Sequence, residues 1–175
     1  MMKLDIQRFA GDPEPVDIMT YDEAHYFSDG SGNINLGGVI TELTESSNPT
    51  ESEKQYIHQK SSTTKVTGFA NEFPITMDMV QNDAVFDDFY TLWYERKVGN
   101  DLKRDHYIVN LWEQAESNGT PVADTYKCRK ITQTVEITEA NGDPGSQKQI
   151  TGSLKGGDFV YGTFNTNTKT FTPDE

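Results

Sequence analysis

The sequence predicts a mostly β fold with one α-helix, an antiparallel β-sandwich or open barrel across which the helix is laid. Three observations carry this expectation. Ile131, Gln133, Val135 and Ile137 alternate with Thr132, Thr134, Glu136 and Thr138, the period of two that a strand with one buried face requires. Turn sequences such as Asn118-Gly119 and Asn141-Gly142-Asp143-Pro144-Gly145 separate runs of this kind, and they supply residues that tolerate positive φ. One stretch alone, with Val85, Phe86, Phe89, Tyr90, Leu92 and Trp93, repeats its apolar residues at helical spacing.

The 175 residues divide into an N-terminal arm, 1–16, and a single β-sandwich domain, 17–175. Leu4, Ile6 and Phe9 are the apolar residues of the arm, and Gly11-Asp12-Pro13-Glu14-Pro15 ends any regular element there. Strands are expected at Ile18–Phe27 and Leu36–Leu43, joined by the turn Asp29-Gly30-Ser31-Gly32-Asn33. The polar run 44–53 reads as a long loop. Strands at about 54–60, 64–70 and 73–79 follow from their β-branched and aromatic residues. The helix should span about 83–98, capped by Asn82 or Asp83 and stopped by Gly99. Beyond it everything reads as strand: His106–Glu113, the run around Ile131–Thr138, its partner around Ile150–Leu154, and a closing pair near 158–164 and 169–172.

Composition narrows the function. With 28 acidic and 15 basic residues the net charge is −13, and residues 1–60, 61–120 and 121–175 contribute −7, −5 and −1. Binding a nucleic-acid backbone or an anionic lipid surface needs a basic face, which this balance opposes. No apolar run approaches the roughly 18 residues of a membrane span, and the opening residues do not read as a secretory signal. Cys128 stands alone, so no internal disulfide forms. Its neighbours Lys127 and Arg129 could activate it, but a half-buried strand thiol is the more economical reading.

No catalytic constellation emerges. Asp29-x-Ser31-x-Asn33 starts like a calcium loop, yet Ile34 and Ile40 stand where the turn glycine and the bidentate carboxylate belong, so an Asx-type turn is expected. His25, His58 and His106 lie on separate elements without ligand spacing and read as partly exposed strand residues. Asp22-Glu23 and Asp87-Asp88 are adjacent pairs whose side chains diverge on a helix or strand. The expectation is therefore a non-enzyme without cofactor or metal.

The order of segments supplies a further clue. Ile40-Thr41-Glu42-Leu43 leads to Asn48-Pro49, then to Glu53-Lys54-Gln55-Tyr56-Ile57, Thr67-Gly68-Phe69 and Phe73-Pro74-Ile75-Thr76. Val109-Asn110-Leu111-Trp112-Glu113, Tyr126-Lys127-Cys128-Arg129-Lys130, Gly142-Asp143-Pro144-Gly145, Ile150-Thr151-Gly152-Ser153-Leu154-Lys155 and Gly162-Thr163-Phe164 follow. Over roughly residues 36–172 this pattern resembles the major tail protein, or tail tube protein, of long-tailed bacteriophages and prophages of Gram-positive hosts. The start Met2-Lys3-Leu4-Asp5-Ile6-Gln7-Arg8-Phe9-Ala10 is similar to one frequent in structural proteins of such phages.

The resemblance implies a self-assembling virion protein. Six copies would close a ring around an inner β-barrel, and stacked rings would form a hollow tail tube for DNA and the tape-measure protein. A tail-tip or baseplate initiator and a tail terminator would be its further partners, and assembly would take place in the host cytoplasm. Leu4, Ile6 and Phe9 in the arm and Asn48, Pro49 and Glu51 in the loop become candidates for contacts between rings. Thr132, Thr134, Glu136 and Thr138 become candidates to line the lumen, although the same face could equally be the outer surface. An acidic wall would let DNA slide without sticking. The competing reading is a small β-sandwich carbohydrate-binding or adhesion module on a virion, with Tyr21, Tyr26, Trp112 and Tyr161 as a platform.

Overall fold

The computed structural model describes residues 17–58 and 60–174. Its elements in chain order are β1 (Glu23–Ser28), β2 (Ile34–Leu36), β3 (Ile40–Leu43), β4 (Pro49–Lys54), β5 (Thr63–Phe69), β6 (Glu72–Asp78), α1 (Ala84–Tyr94), β7 (Lys103–Ser117), β8 (Thr120–Asn141), β9 (Gln149–Lys155), β10 (Phe159–Asn165) and β11 (Thr170–Pro173). Nine strands form one sheet in the order β2-β1-β7-β8-β9-β6-β3. The β10–β11 pair joins it along β8, and β4–β5 stands apart as a two-stranded sheet. Every pairing is antiparallel. The expected class, a mostly antiparallel β fold with a single helix, is the one found.

The long hairpin β7–β8 is the spine. Asn118 (φ 52°) and Gly119 (φ 75°) both occupy the left-handed region between the paired residues Ser117 and Thr120, the two-residue turn whose twist matches the flanking strands. On β8, Ile131, Gln133 and Val135 are buried while Thr132 and Glu136 are exposed, so the alternation in the sequence is a real division of faces. β7 carries apolar residues on both faces, as its sequence indicates, and both are buried. Ile108 enters a large core with Phe27, Phe73, Phe89, Ile131 and Leu154. Tyr107 and Val109, pointing the other way, enter a smaller one with Tyr26, Cys128 and Phe164.

The helix closes the larger core. Asp83 caps it, its Oδ1 accepting from the Val85 and Phe86 backbone amides at 3.1 and 3.0 Å. Val85, Phe86, Phe89 and Leu92 form its buried stripe, each contributing about 1.5–3 kcal/mol of apolar burial. Arg104 ties it to β7 with two bonds to Asp88, at 2.6 and 2.8 Å, and Asp88 holds the guanidinium above its ordinary pKa.

Some boundaries differ from the sequence expectation. The helix ends at Tyr94 because Arg96 (φ 54°), three residues ahead of Gly99 (φ 66°), already takes the left-handed conformation that stops it. The Lys97 amide then reaches back to the Leu92 carbonyl and the Arg96 amide to Trp93, at 3.1 and 3.3 Å. Gly99 opens a separate 3-10 turn, Gly99–Leu102. The run Ile18–Phe27 starts with a 3-10 turn and becomes strand only at Glu23. Leu36–Leu43 is two strands broken at Gly37, where a Cβ would lie 2.7 Å from the Ile40 side chain and 2.9 Å from the Phe27 ring. The loop expected over 44–53 is strand from Pro49 onward, and most of the strand expected over 54–60 is the turn beyond it. Polar composition hid that strand, because neither of its faces is buried.

Candidate assembly surface

The β4–β5 hairpin is the most exposed regular element among the described residues. It runs in register from Pro49↔Phe69 to Lys54↔Thr63, with a bulge between Thr50 and Glu51. All of β4 is exposed, and so is every β5 residue except the half-buried Gly68. Beyond the strands, Tyr56 and Ile57 are also exposed, Ile57 completely. An isolated two-stranded hairpin in water is marginal, and this one has no buried face of its own. Of the loop candidates, Asn48 sits at its root in the left-handed region (φ 34°), accepting from the Ala70 amide, while Pro49 and Glu51 lie on β4.

At that root Arg129 makes a two-pronged ion pair with Glu45, at 3.0 and 2.9 Å, and its guanidinium lies 5.0 Å over the Phe159 ring. These residues border a cleft of about 520 Å³, also lined by Phe69, Asp158 and Tyr161. A larger groove of about 990 Å³ opens on the far side of Glu45. It is bounded by β1 and β3, with Ile18, Phe73 and Leu111 among its apolar lining.

The β8 face proposed from the sequence as lumen wall is solvent-exposed in the single chain, with Thr132, Glu136 and Thr138 exposed and Thr134 half-buried. Its charges are already paired: Lys155 Nζ lies 2.7 Å from Glu136, and Lys130 lies 2.8 Å from Asp105, which also accepts from Thr132 at 2.5 Å. The face is polar and nearly balanced rather than strongly acidic. Leu4, Ile6 and Phe9 lie outside the described residues.

The histidines depart most from expectation. His106 is fully buried, not partly exposed, and it meets His25. His106 Nδ1 donates to Gln133 Oε1 at 3.0 Å, which leaves its Nε2 to accept from His25 Nδ1 at 3.1 Å. Gln133 in turn donates to the Leu154 carbonyl at 3.4 Å. Burial drives His106 down to about 3, with the neighbouring His25 adding to it. Burial and then Arg129 lower His25 to about 4. Both rings are therefore neutral and structural. Glu23, whose carboxylate oxygen lies 3.7 Å from His25 Nε2, is raised by burial. No spacing in the sequence joins positions 25, 106 and 133. The one legible signal was Gln133 at an inward position of an otherwise apolar alternation.

The remaining candidates take ordinary roles. Cys128 is buried in the smaller core, and burial pushes its thiol up to about 12, because alternation sends Lys127 and Arg129 to the opposite face. Asp29 spends its carboxylate on its own turn, accepting from the Ser31 and Asn33 amides and the Asn33 side chain, each at 2.8 Å. Those bonds, led by the Asn33 side chain, hold it below the usual carboxylate range. Among the described residues no group of three or more His, Cys, Asp or Glu side chains is arranged to hold a metal ion, and no helix is long and apolar enough to cross a membrane. The four aromatic residues weighed as a glycan platform do not converge. Tyr21 and the buried Tyr26 line the groove, Tyr161 lines the cleft at the hairpin root, and Trp112 lies on β7, so no more than two share one surface.

The architecture is that of a tail-tube-like β fold with one helix. Neither a family model nor a curated protein matches the chain in sequence. Among solved structures, it superimposes on the SPP1 tail tube subunit determined by solid-state NMR and cryo-EM with a TM-score of 0.63 and 14% identity, covering 83% of this chain and 78% of that one. It is also similar to a chain of the anti-feeding prophage baseplate, solved by cryo-EM with 6-fold symmetrisation, with a TM-score of 0.50 and 7% identity over 84% of this chain and 96% of that one.

Proposed function

We propose that this protein is a structural subunit of a phage tail tube, assembling into stacked hexameric rings whose hollow lumen conducts DNA from capsid to host. The observation that carries the reading is the β4–β5 hairpin: an ordered strand pair with no buried face of its own, projecting from a fold like that of the SPP1 tail tube subunit. The hairpin, with Asn48, Pro49 and Glu51 on or beside its first strand, serves as the contact between successive rings. The free edges of the nine-stranded sheet pair with neighbouring copies around the ring, since cyclic closure removes exposed edges. Thr132, Thr134, Glu136 and Thr138 face the lumen, where a polar wall with internally paired charges offers phosphates little to grip. The subunit acts by position, without a catalytic step or cofactor, alongside a tape-measure protein, a tail-tip or baseplate initiator and a tail terminator.

Negative-stain electron microscopy of the purified protein, at rising concentration and with tail-tip initiator added, tests this. Rings or tubes are the expected result. A protein that stays monomeric under all of these conditions, initiator included, sinks the reading.

A further inference from the structure

Two surfaces of this chain complement each other in chemistry and stand unjoined in the single copy. The first is the far end of the β4–β5 hairpin. From Lys54 to Asn71 the chain carries Lys54, Lys60 and Lys65 and no Asp or Glu, in a molecule of net charge −13. Among the described residues none of these lysines is in an ion pair. Between the first two stand Tyr56, whose ring stacks on His58 at 6.0 Å, and Ile57, both exposed. The hairpin thus ends in an apolar wedge framed by unpaired cations.

The second surface is the 990 Å³ groove beside β1 and β3. Ile18, Leu36, Leu43 and Leu111 make its lining apolar, and its charges are Glu23, Glu42 and Glu45, with no Lys or Arg among the described lining residues. Glu45 is engaged by Arg129 at 2.9 Å. Glu42 is exposed and in no ion pair among the described residues. Glu23 is half-buried, has only the neutral His25 ring within ion-pair distance, at 3.7 Å, and is raised by burial. A carboxylate that has lost water without bonding a cation gains most from one that arrives.

We propose that this groove is the seat for the hairpin end of a second copy, with Tyr56 and Ile57 entering among its apolar residues and Lys54 and Lys60 meeting Glu23 and Glu42. Charge complementarity selects the occupant: an apolar wedge with a cationic rim fits an apolar groove with an anionic one. The strand ladder orders the arm before it docks, which lowers the entropy lost on binding. Hairpin and groove are different surfaces, so the contact is heterologous. Each bound copy still offers a hairpin or a groove to the next, and association propagates into a ring or a stack instead of stopping at a dimer. The inference deepens the proposed function and rests on its use of the hairpin as a contact between copies; what it adds is the surface that receives it.

The test mixes full-length chains bearing one added surface thiol each and treats them with a short bismaleimide under the microscopy conditions, initiator included; Cys128 is buried. Ile57→Cys is paired with Thr41→Cys in the groove or with Tyr161→Cys in the 520 Å³ cleft. The Ile57–Thr41 product between chains should exceed the Ile57–Tyr161 product about tenfold, the ratio that 1.4 kcal/mol of preference gives. Lys54→Glu with Lys60→Glu on the hairpin copy should lower that yield about tenfold, and Glu42→Lys on the groove copy should recover part of it. Equal or greater product at Tyr161 overturns the proposal, as does a product confined within single chains that carry both Ile57→Cys and Thr41→Cys. Rings or tubes without the Ile57–Thr41 product overturn it and leave the tube reading standing. The product without rings or tubes supports it and removes the tube reading, and the absence of both overturns both.

Discussion

The nine-stranded body and the β4–β5 hairpin are made of the same polar, threonine-rich chain, yet they are held in opposite ways. In the body, β7 is buried on both faces and the helix seals the larger core, so its strands are fixed by apolar contact as well as by ladders. In the hairpin only the ladder and local bonds such as Thr67 Oγ1 to the Thr50 carbonyl, at 3.1 Å, hold the strands together. A ladder without a packed face contributes little against the entropy of ordering. The body should therefore carry the stability of the fold, and on the proposed function the hairpin carries its associations.

Substitutions sharpen this contrast in descending order of effect. Phe89→Ala, at a fully buried ring packed edge-on against Phe27, should cost about 4 kcal/mol, read as a shift in the urea unfolding midpoint. Arg104→Ala should cost about 3 kcal/mol by stranding the Asp88 carboxylate. The conservative Arg104→Lys should recover only part of that, because lysine cannot make both bonds.

Acid should weaken the body next. The buried His106 and the half-buried His25 both have folded values below 6.5, so the unfolded chain takes up protons first. Stability is then lost as the pH falls from about 6.5 toward 4 and below. Between pH 6 and pH 5 the loss should be about 2 kcal/mol. Glu23, with its raised value, works in the opposite direction and takes back a part. Denaturation series at the two pH values check the sign, and a midpoint unchanged or higher at pH 5 would contradict neutral rings. Smallest of all, Tyr56→Ser with Ile57→Ser at the end of the hairpin should change subunit stability by less than about 0.5 kcal/mol, while lowering the yield of rings or tubes. A large loss of stability from that pair would erase the distinction between the two regions.

The contrast also explains which features could be read from the sequence. Where burial imposes a pattern, the pattern was visible: the Ile131–Ile137 alternation, the aromatic stripe of the helix and the Asn118-Gly119 turn all stand where expected. Where a strand buries neither face, alternation carries no message, and for this reason the uncovered β4 reads as a loop in the sequence. The His25–His106–Gln133 chain was invisible because sheet pairing alone brings together residues 81 and 27 positions apart. Arg96 at the helix end illustrates a further limit. Gly99 was the better local candidate for a left-handed residue, but the helix ends after the last turn that reaches the core, and Arg96 takes the conformation that this stop requires.

β8 has a mechanical consequence. Its 22 residues form one unbroken strand, about 70 Å if fully straightened. It places Cys128 in the smaller core and Ile131 and Val135 in the larger. β7 lies along one side, with β9 and β10 end to end along the other. A pull along its length loads these ladders in shear, where hydrogen bonds share the force and yield together instead of opening one after another. The fold thus contains its own tie rod, and stretching it in that direction means breaking both cores at once.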